Sequence, residues 1–348
     1  VIESYLPVVA LSLVMAAVLL LPFSVKKIEE ELEIFLLIMG VAAVTVSGQW
    51  SRHLLAESLR EPLLISCAVL AAGFAFRGLR AGLHSAAALM IEKLGLPAAA
   101  FIIVLALGMC SSGVTAIIAA LALSEAICAF GLDRDGEAAV AVYGCYAIGL
   151  GAALSPIGEP LSAITVAKLK GPPHFADSGW LFSTLGAWIL PGVAVCAFMA
   201  ARAARRCGVS GREHSSGRES SGGIILRALK IYVFVAALVL LGAGLGPLAE
   251  ISTGKLAHWQ LYWINSLSAV LDNATLAAAE IVPSMTRQQI QFLLMGLLVA
   301  GGMLIPGNIP NIICASKLGI SSRRWAALAL PPGIALMAVY FALLSLAR

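Results

Sequence analysis

Long apolar runs separated by short polar stretches dominate this chain, and none alternates with the period of two that a membrane-barrel strand requires. Runs at 4–23, 63–76 and 225–245 approach or reach the ~20 apolar residues with which an α-helix crosses about 30 Å of hydrocarbon. The pattern predicts helical spans near 4–23, 31–47 and 61–77, then an amphipathic stretch near 83–94. Further apolar segments follow at 96–130, 138–168, 178–201, 225–247, 256–283, 288–316 and 325–346. The first run has no basic residue before it and Lys26 and Lys27 after it, so it reads as a retained span rather than a signal peptide.

Several segments are too long or too interrupted for simple spans. Segment 96–130 breaks at Ser111-Ser112-Gly113, and 256–283 breaks at Asp272-Asn273. Each is expected to form a re-entrant helical hairpin with its polar tip at mid-membrane, where irregular backbone survives only against protein or a water-filled cavity.

Composition agrees with the pattern. Sixty per cent of residues are hydrophobic and only 12% are charged, whereas a soluble domain carries roughly a quarter charged residues. Seven cysteines without a CxxC pair point to small core residues rather than a zinc site or a disulfide framework. The net charge of +4 says little about partners, but its distribution says more. With the N-terminus outside, cytoplasmic loops would carry Lys26, Lys27, Arg77, Arg80, Lys93, Arg134, Arg202, Arg205, Arg206, Arg212, Arg218, Arg227, Lys230, Lys317, Arg323 and Arg324. The outside would receive only Arg52, Arg60, Lys168, Lys170, Lys255, Arg287 and Arg348. The excess of Lys and Arg on cytoplasmic loops then predicts both termini outside, a first hairpin opening inward and a second opening outward. Trp50, Trp180, Trp259 and Trp325 fall near span ends, as an aromatic belt would place them. The hydrophilic, Ser- and Gly-rich stretch 202–224 reads as a flexible cytoplasmic linker. Its arginines are read as a topology signal and not as a nucleic-acid patch. It divides the chain into a first membrane half, 1–201, and a second, 225–348.

The halves share a pattern. Ser112-Gly113-Val114-Thr115-Ala116 and the Ala-rich helix to Glu125 correspond to Asp272-Asn273-Ala274-Thr275-Leu276 and the Ala-rich helix to Glu280. Downstream, Gly151 to Pro160, with Ser155, Pro156, Gly158 and Glu159, corresponds to Gly301 to Pro310, with Pro306, Gly307 and Asn308. Each motif closes on a lysine-bearing turn, at Lys168 or Lys317. The fold class expected is therefore an all-α polytopic membrane protein of two inverted repeats. The first comprises scaffold helices 4–77, hairpin 96–130 and broken helix 138–168; the second comprises hairpin 256–283 and broken helix 288–316. Secondary transporters of this architecture bind substrate near the midplane, between half-helix ends. Pro156, Pro160, Pro306 and Pro310 remove backbone donors and leave carbonyls suited to a cation.

An acid inside a membrane costs at least ~2.5–3.5 kcal/mol and is a functional hypothesis by default. Asp272 and Glu159 sit at the expected breaks. A hard cation such as sodium takes oxygen ligands, which Ser111, Ser112, Thr115, Asp272, Asn273, Thr275, Ser155, Glu159, Asn308 and Asn311 can supply without a Lys or Arg among them. Asp272 could instead be a hairpin cap accepting backbone N–H bonds, and Glu159 could face an aqueous vestibule. Glu125 and Glu280 fall near hairpin bases and read as interfacial; Asp133, Asp135 and Glu137 read as a solvated loop face.

At these residues the chain resembles the ion transporter superfamily of NhaD-type sodium/proton antiporters, ArsB-type arsenite carriers and sodium-coupled dicarboxylate carriers. Ser266 to Asn273 is similar to the Asp-Asn hairpin tip of the NhaD-type antiporters, and Ser155-Pro156-Ile157-Gly158-Glu159 to their Ser-Pro-Ile-Gly-Asp break. Gly301-Gly302 with Gly307-Asn308 and Asn311 is similar to their last broken helix. The likeness spans about residues 60–345 and is closer still to a group of prokaryotic predicted cation transporters. Two departures leave stoichiometry and proton coupling open: the first hairpin has Ser112-Gly113 in place of Asp-Asn, and Glu159 replaces Asp. The resemblance implies a prokaryotic inner (plasma) membrane protein and a homodimer paired through scaffold helices.

The function expected is secondary sodium/proton antiport. Burial raises a carboxylate's pKa and a bound cation lowers it, so the two ions compete for one acid. Asp272 would be the exchanger, Glu159 a second ligand or proton acceptor, and sodium would sit among Asp272, Asn273 and Glu159. No cofactor is expected. The alternative is a sodium-coupled symporter of a small anion held by the Ser- and Asn-rich tips, with oxyanion efflux as a variant. An intramembrane enzyme is remote, because the five histidines are isolated and no HExxH or Gly-x-Ser-x-Gly motif occurs.

Overall fold

The structure, a computed structural model, describes the backbone at residues 2–25, 27–28, 31–207, 221–253, 257–266 and 273–347. Asp272 and most of the 202–224 linker lie outside the described residues. Among the described residues every regular element is helical. The scaffold comprises α1 (Ile2–Ser24), α2 (Leu32–Ser47), α3 (Arg52–Leu94) and α9 (Ser221–Thr253). The first half continues with α4 (Leu96–Val114), α5 (Ala116–Phe130), α6 (Arg134–Ala152), α7 (Pro160–Lys168) and α8 (Trp180–Arg206). The second half has α10 (His258–Ile264), α11 (Asn273–Glu280), α12 (Arg287–Gly301), α13 (Ile309–Leu318) and α14 (Ser322–Leu346). Among the described residues four helices are long and apolar enough to cross a membrane: α4, α8, α9 over Ser221–Leu248, and α14. Shorter apolar helices lie at Pro7–Pro22, α2 and α5. Leu13, Phe198, Leu229 and Ile334 present more than half their surface outward, as lipid-facing side chains do. The protein is an all-α polytopic membrane protein.

Helix starts follow local chemistry. Asp133 Oδ1 accepts from Gly136 N at 2.7 Å to begin α6, Thr286 and Gln289 form a reciprocal capping box at α12, and Ser51 and Ser321 cap α3 and α14. The central pair is α6 and α12, whose residues are buried almost continuously around the helix. Such helices are apolar on every side because protein surrounds them. Around this pair α4 packs on α6 and α8, and α10 and α14 pack on α12. Among the contacts that cross between the halves, α13 packs on α5 and α7 packs on α11.

The 27 residues of α8 span about 40 Å and separate two faces of the molecule. At its C-terminal end Cys207 lies against Gly136, and nearby Arg324 pairs with Asp135. We call this the linker face, because α9 begins there beside the end of α13. At the N-terminal end of α8, Arg287 donates to Thr184 Oγ1 and Ser183 Oγ, each at 3.0 Å. Lys168 Nζ donates to Ile281 O on this far face. The α5 base therefore lies at the linker face and the α11 base at the far face.

Four expectations need correction. The span 61–77 and the amphipathic stretch 83–94 form one 43-residue helix, α3, about 65 Å long; no Pro separates them, and Gly78 and Gly82 lie within the helix, which tolerates them. The linker starts later than residue 202, since α8 runs to Arg206, where Arg205 and Arg206 favour the negative end of the helix dipole. Trp325 is not a belt residue: it is fully buried, with Nε1 donating to Gly302 O at 3.3 Å. Glu125, Glu137 and Glu280, expected at interfaces or in solvent, are buried.

Candidate functional site

Both broken helices break where the sequence places them. The chain leaves the helix after Ala152 and re-enters at Pro160; in the second half it leaves after Gly301, makes a 3₁₀ turn at Ile305–Gly307 around Pro306, and re-enters at Ile309. Glu159 caps α7 in an extended conformation (φ −157°, ψ 159°), and Asn308 caps α13 in nearly the same one (φ −156°, ψ 145°). Glu159 and Asn308 are thus structural equivalents, one residue off the register that aligning the prolines gives. Pro160 is the first residue of α7 and Pro310 the second of α13, where proline's missing N–H costs no helical bond.

The first hairpin turns later than expected. Gly113 lies inside α4, and the turn falls at Thr115, which adopts a left-handed φ of +76°, a costly conformation for a β-branched residue. The serines do not break the helix because their hydroxyls bond its own carbonyls. Ser111 Oγ lies 2.8 Å from Gly108 O and 3.1 Å from Ile148 O, and Ser112 Oγ donates to Met109 O at 3.3 Å. The turn is held to the first break, with Ala116 N donating to Gly158 O at 2.9 Å and Ser155 Oγ donating to Ser112 O. In the second hairpin Asn273 opens α11; Thr275 is in α11 with its side chain outside the described set.

The first hairpin's turn, the start of α11 and both breaks meet at one cavity of about 240 Å³. Thr115 and Ala116 line it from the first hairpin, Pro156 to Leu161 from the first break, Asn273 and Ala274 from the second hairpin, and Gly307 to Ile309 from the second break. Of the expected ligands, Thr115, Glu159, Asn273 and Asn308 come together there, with Pro156, Gly158, Pro160 and Gly307. Ser111, Ser112 and Ser155 instead bond backbone at the turn, and Asn311 Nδ2 braces the second break by donating to Gly301 O and Leu304 O, each at 2.8 Å.

The starts of α5, α7, α11 and α13 all line the cavity, and their summed dipoles favour negative charge there. Glu159 supplies such a charge, and Asp272 directly precedes Asn273 in the chain. No Lys or Arg is in the lining. Asn273 is 4% exposed, and neither atom of its amide has a hydrogen-bond partner; it rests on Gly301, as Asn308 rests on Gly149. A buried amide in that state is an oxygen donor available to a ligand.

Sequence reasoning missed three features around the site. Lys317 Nζ sits 2.5 Å from Glu125 Oε1, both about 8% exposed, and ties α13 to α5. Buried tyrosines join helices by side chain to backbone bonds: Tyr146 to Ala329 O at 2.9 Å, Tyr262 to Met337 O at 2.7 Å and Tyr340 to Trp188 O at 2.9 Å. Asn265 and Glu280 are buried within the second hairpin. The matched places of Glu125 with Glu280 and of Lys168 with Lys317 were a readable signal for the first and third.

The fold and cavity define a helical membrane protein with a pocket between broken helices, into which Glu159, Asn273 and Asn308 bring polar groups. The chain belongs to the family described as "protein of unknown function (DUF1646)", whose profile matches residues 8–346. No curated protein and no solved structure matches it.

Proposed function

We propose that the protein is a secondary active transporter of a small cation, exchanging sodium for protons by alternating access at the cavity between the two breaks. The carrying observation is that Glu159 and Asn273 meet there, beside Asp272 in the chain, with no basic residue in the lining. Glu159, Asp272 and Asn273 would hold the ion. Four helix starts favour ionised carboxylates at this place, and an ionised acid facing a neutral oxygen donor is a hard-cation site. Sodium and a proton then compete for the same acid, and a site that faces one side at a time turns that competition into exchange.

The two halves are inverted copies in this reading, which the hairpin bases at opposite ends of α8 support. Arg134, Arg202, Arg205, Arg206, Lys317, Arg323 and Arg324 cluster toward the linker face, against Lys168, Lys170 and Arg287 toward the far face. That bias supports a cytoplasmic linker face in a prokaryotic plasma membrane.

One observation favours a second reading. Convergent helix N-termini also bind anions, so a sodium-coupled symporter of a small anion could use Thr115, Asn308 and free backbone amides. Glu159 and Asp272 would repel that anion, which places antiport first. The test is purified protein in liposomes with a preset pH gradient and a lumenal dye, to which sodium, lithium, potassium or choline is added. Sodium should collapse the gradient, and Asp272→Asn and Glu159→Gln should not respond. If no alkali cation moves protons, antiport is wrong, and the same vesicles are then tested for sodium-dependent uptake of small anions.

A further inference from the structure

The two cross-half helix pairs end differently. Where α5 and α13 run out toward the linker face, the Glu125 carboxylate is met by Lys317, a monovalent cation built into the chain. Where α7 and α11 run out toward the far face, the acid of the hairpin helix is Glu280, eighth in α11 where Glu125 is tenth in α5, and the lysine equivalent to Lys317 is Lys168. Lys168 is turned instead onto the Ile281 carbonyl, 3.1 Å away. Glu280 is 6% exposed, and its Oε2 has no hydrogen-bond partner. Asn265, 1% exposed, turns its amide N–H toward the Glu280 carboxyl from the first arm of the hairpin, and its Oδ1 has no partner.

Two unpartnered oxygens on two buried side chains are costly, at roughly 1–3 kcal/mol each. The chemistry they share is two oxygens, one of a carboxyl and one of an amide, at the end of a hairpin helix where a chain-borne ammonium meets the acid in the other half. We propose that Glu280 and Asn265 form a second cation site at the far-face base of the second hairpin, taking a hard monovalent cation of sodium's class from solution. Glu280 Oε2 and Asn265 Oδ1 are the ligands, and Lys168 is the competitor, poised one residue along the chain to replace the ion. Its use as a station on the route to the central cavity rests on the transport reading; the binding site itself does not.

Equilibrium binding of ²²Na⁺ to the purified full chain tests this. Wild type should bind two ions per chain and Glu280→Gln one. Asp272→Asn should keep one ion, bound roughly tenfold or more weakly once Glu280→Gln is added, a loss of about 1.4 kcal/mol or more. Lys168→Met should tighten that ion, which keeps the proposal exposed to refutation if Glu280→Gln does not yield a monodisperse protein. Sodium binding to Asp272→Asn that ignores Glu280→Gln, or an Asp272→Asn protein that binds none, overturns the site and leaves Glu280 and Asn265 to buried water. Failure of the transport reading looks different: wild-type vesicles exchange no sodium for protons, while Glu280-dependent sodium binding persists.

Discussion

Gly151 is where the first hairpin is seated, and giving it one methyl group should unseat the hairpin. A Cβ built on Gly151 would stand 1.7 Å from Gly108 O and 2.9 Å from Ser111 Oγ. Contacts between carbon and a carbonyl oxygen begin near ~3.3 Å, so in Gly151→Ala α4 must retreat from α6 by about 1.5 Å against the backbone itself. Rotamer changes cannot relieve this, since the obstructing atom is a main-chain oxygen. The retreat also pulls Ser111 Oγ off Ile148 O, a bond of 3.1 Å. Overpacking costs about 1–3 kcal/mol, and the lost buried bond adds about 1, giving a total of roughly 2–4 kcal/mol. Gly108→Ala on the facing helix is the control: its nearest neighbour is Val193 Cγ1 at 2.7 Å, with Ala147 O at 3.1 Å, so most of the clash falls on a side chain. Thermal unfolding of the purified protein in detergent, followed by tryptophan fluorescence, should rank wild type above Gly108→Ala and Gly108→Ala well above Gly151→Ala. Because Ser112 and Ala116 hold the first break through Ser155 and Gly158, Gly151→Ala should also lose ion flux in vesicles. Equal unfolding temperatures for the two variants would refute the close-approach argument.

The other predictions concern the polar ties between helices. Glu125→Gln or Lys317→Met alone should cost about 3–5 kcal/mol, because each strands a buried charge, whereas Glu125→Leu with Lys317→Met should stay near wild type; additive single losses in the unfolding assay would exclude a direct pair. Tyr146→Phe should cost about 1–2 kcal/mol by stranding Ala329 O, and Gly333→Ala should cost more, because its Cβ would meet Tyr146 Oη at 2.3 Å. A Gly333→Ala protein as stable as wild type would show that Tyr146 is not held there.

Most apolar helices, the first hairpin and both breaks were legible because the bilayer leaves few choices. Apolar length marks a helix, and Pro with Gly inside such a run marks a break that protein must cover. The turn residue was not legible: Ser111-Ser112-Gly113 has turn chemistry, but serine hydroxyls can feed their own helix, and the strain instead sits on Thr115. Nor was the register between the halves, because aligning Pro160 with Pro310 hides that the helix starts are offset by one residue. The burial of Glu125 and Glu280 was missed because a residue's distance from a hairpin tip gives its depth along the hairpin, while only tertiary packing decides whether α7 or α13 covers it.

The corrected register changes how charge is read across the site. The α5–α13 pair starts at Thr115 and Asn308, both neutral, and ends at the Glu125–Lys317 pair, where the acid is matched within the chain. The α7–α11 pair starts at Glu159 and at Asn273, which follows Asp272, and ends at Glu280 with Lys168 turned aside. Two equivalent helix pairs thus carry opposite designs, one internally neutral and one acidic from the cavity to the far face. A carrier with two equal ion sites would need acids on both pairs. In the proposed reading cation chemistry is instead concentrated along a single pair, with Glu159 at the cavity, Asp272 next to Asn273 in the chain and Glu280 at the far-face end. In that reading the neutral pair is the wall against which the acidic pair opens, and a variant that moves charge onto it, such as Asn308→Asp, should change the number of ²²Na⁺ ions bound per chain rather than abolish binding; an unchanged number would refute the assignment.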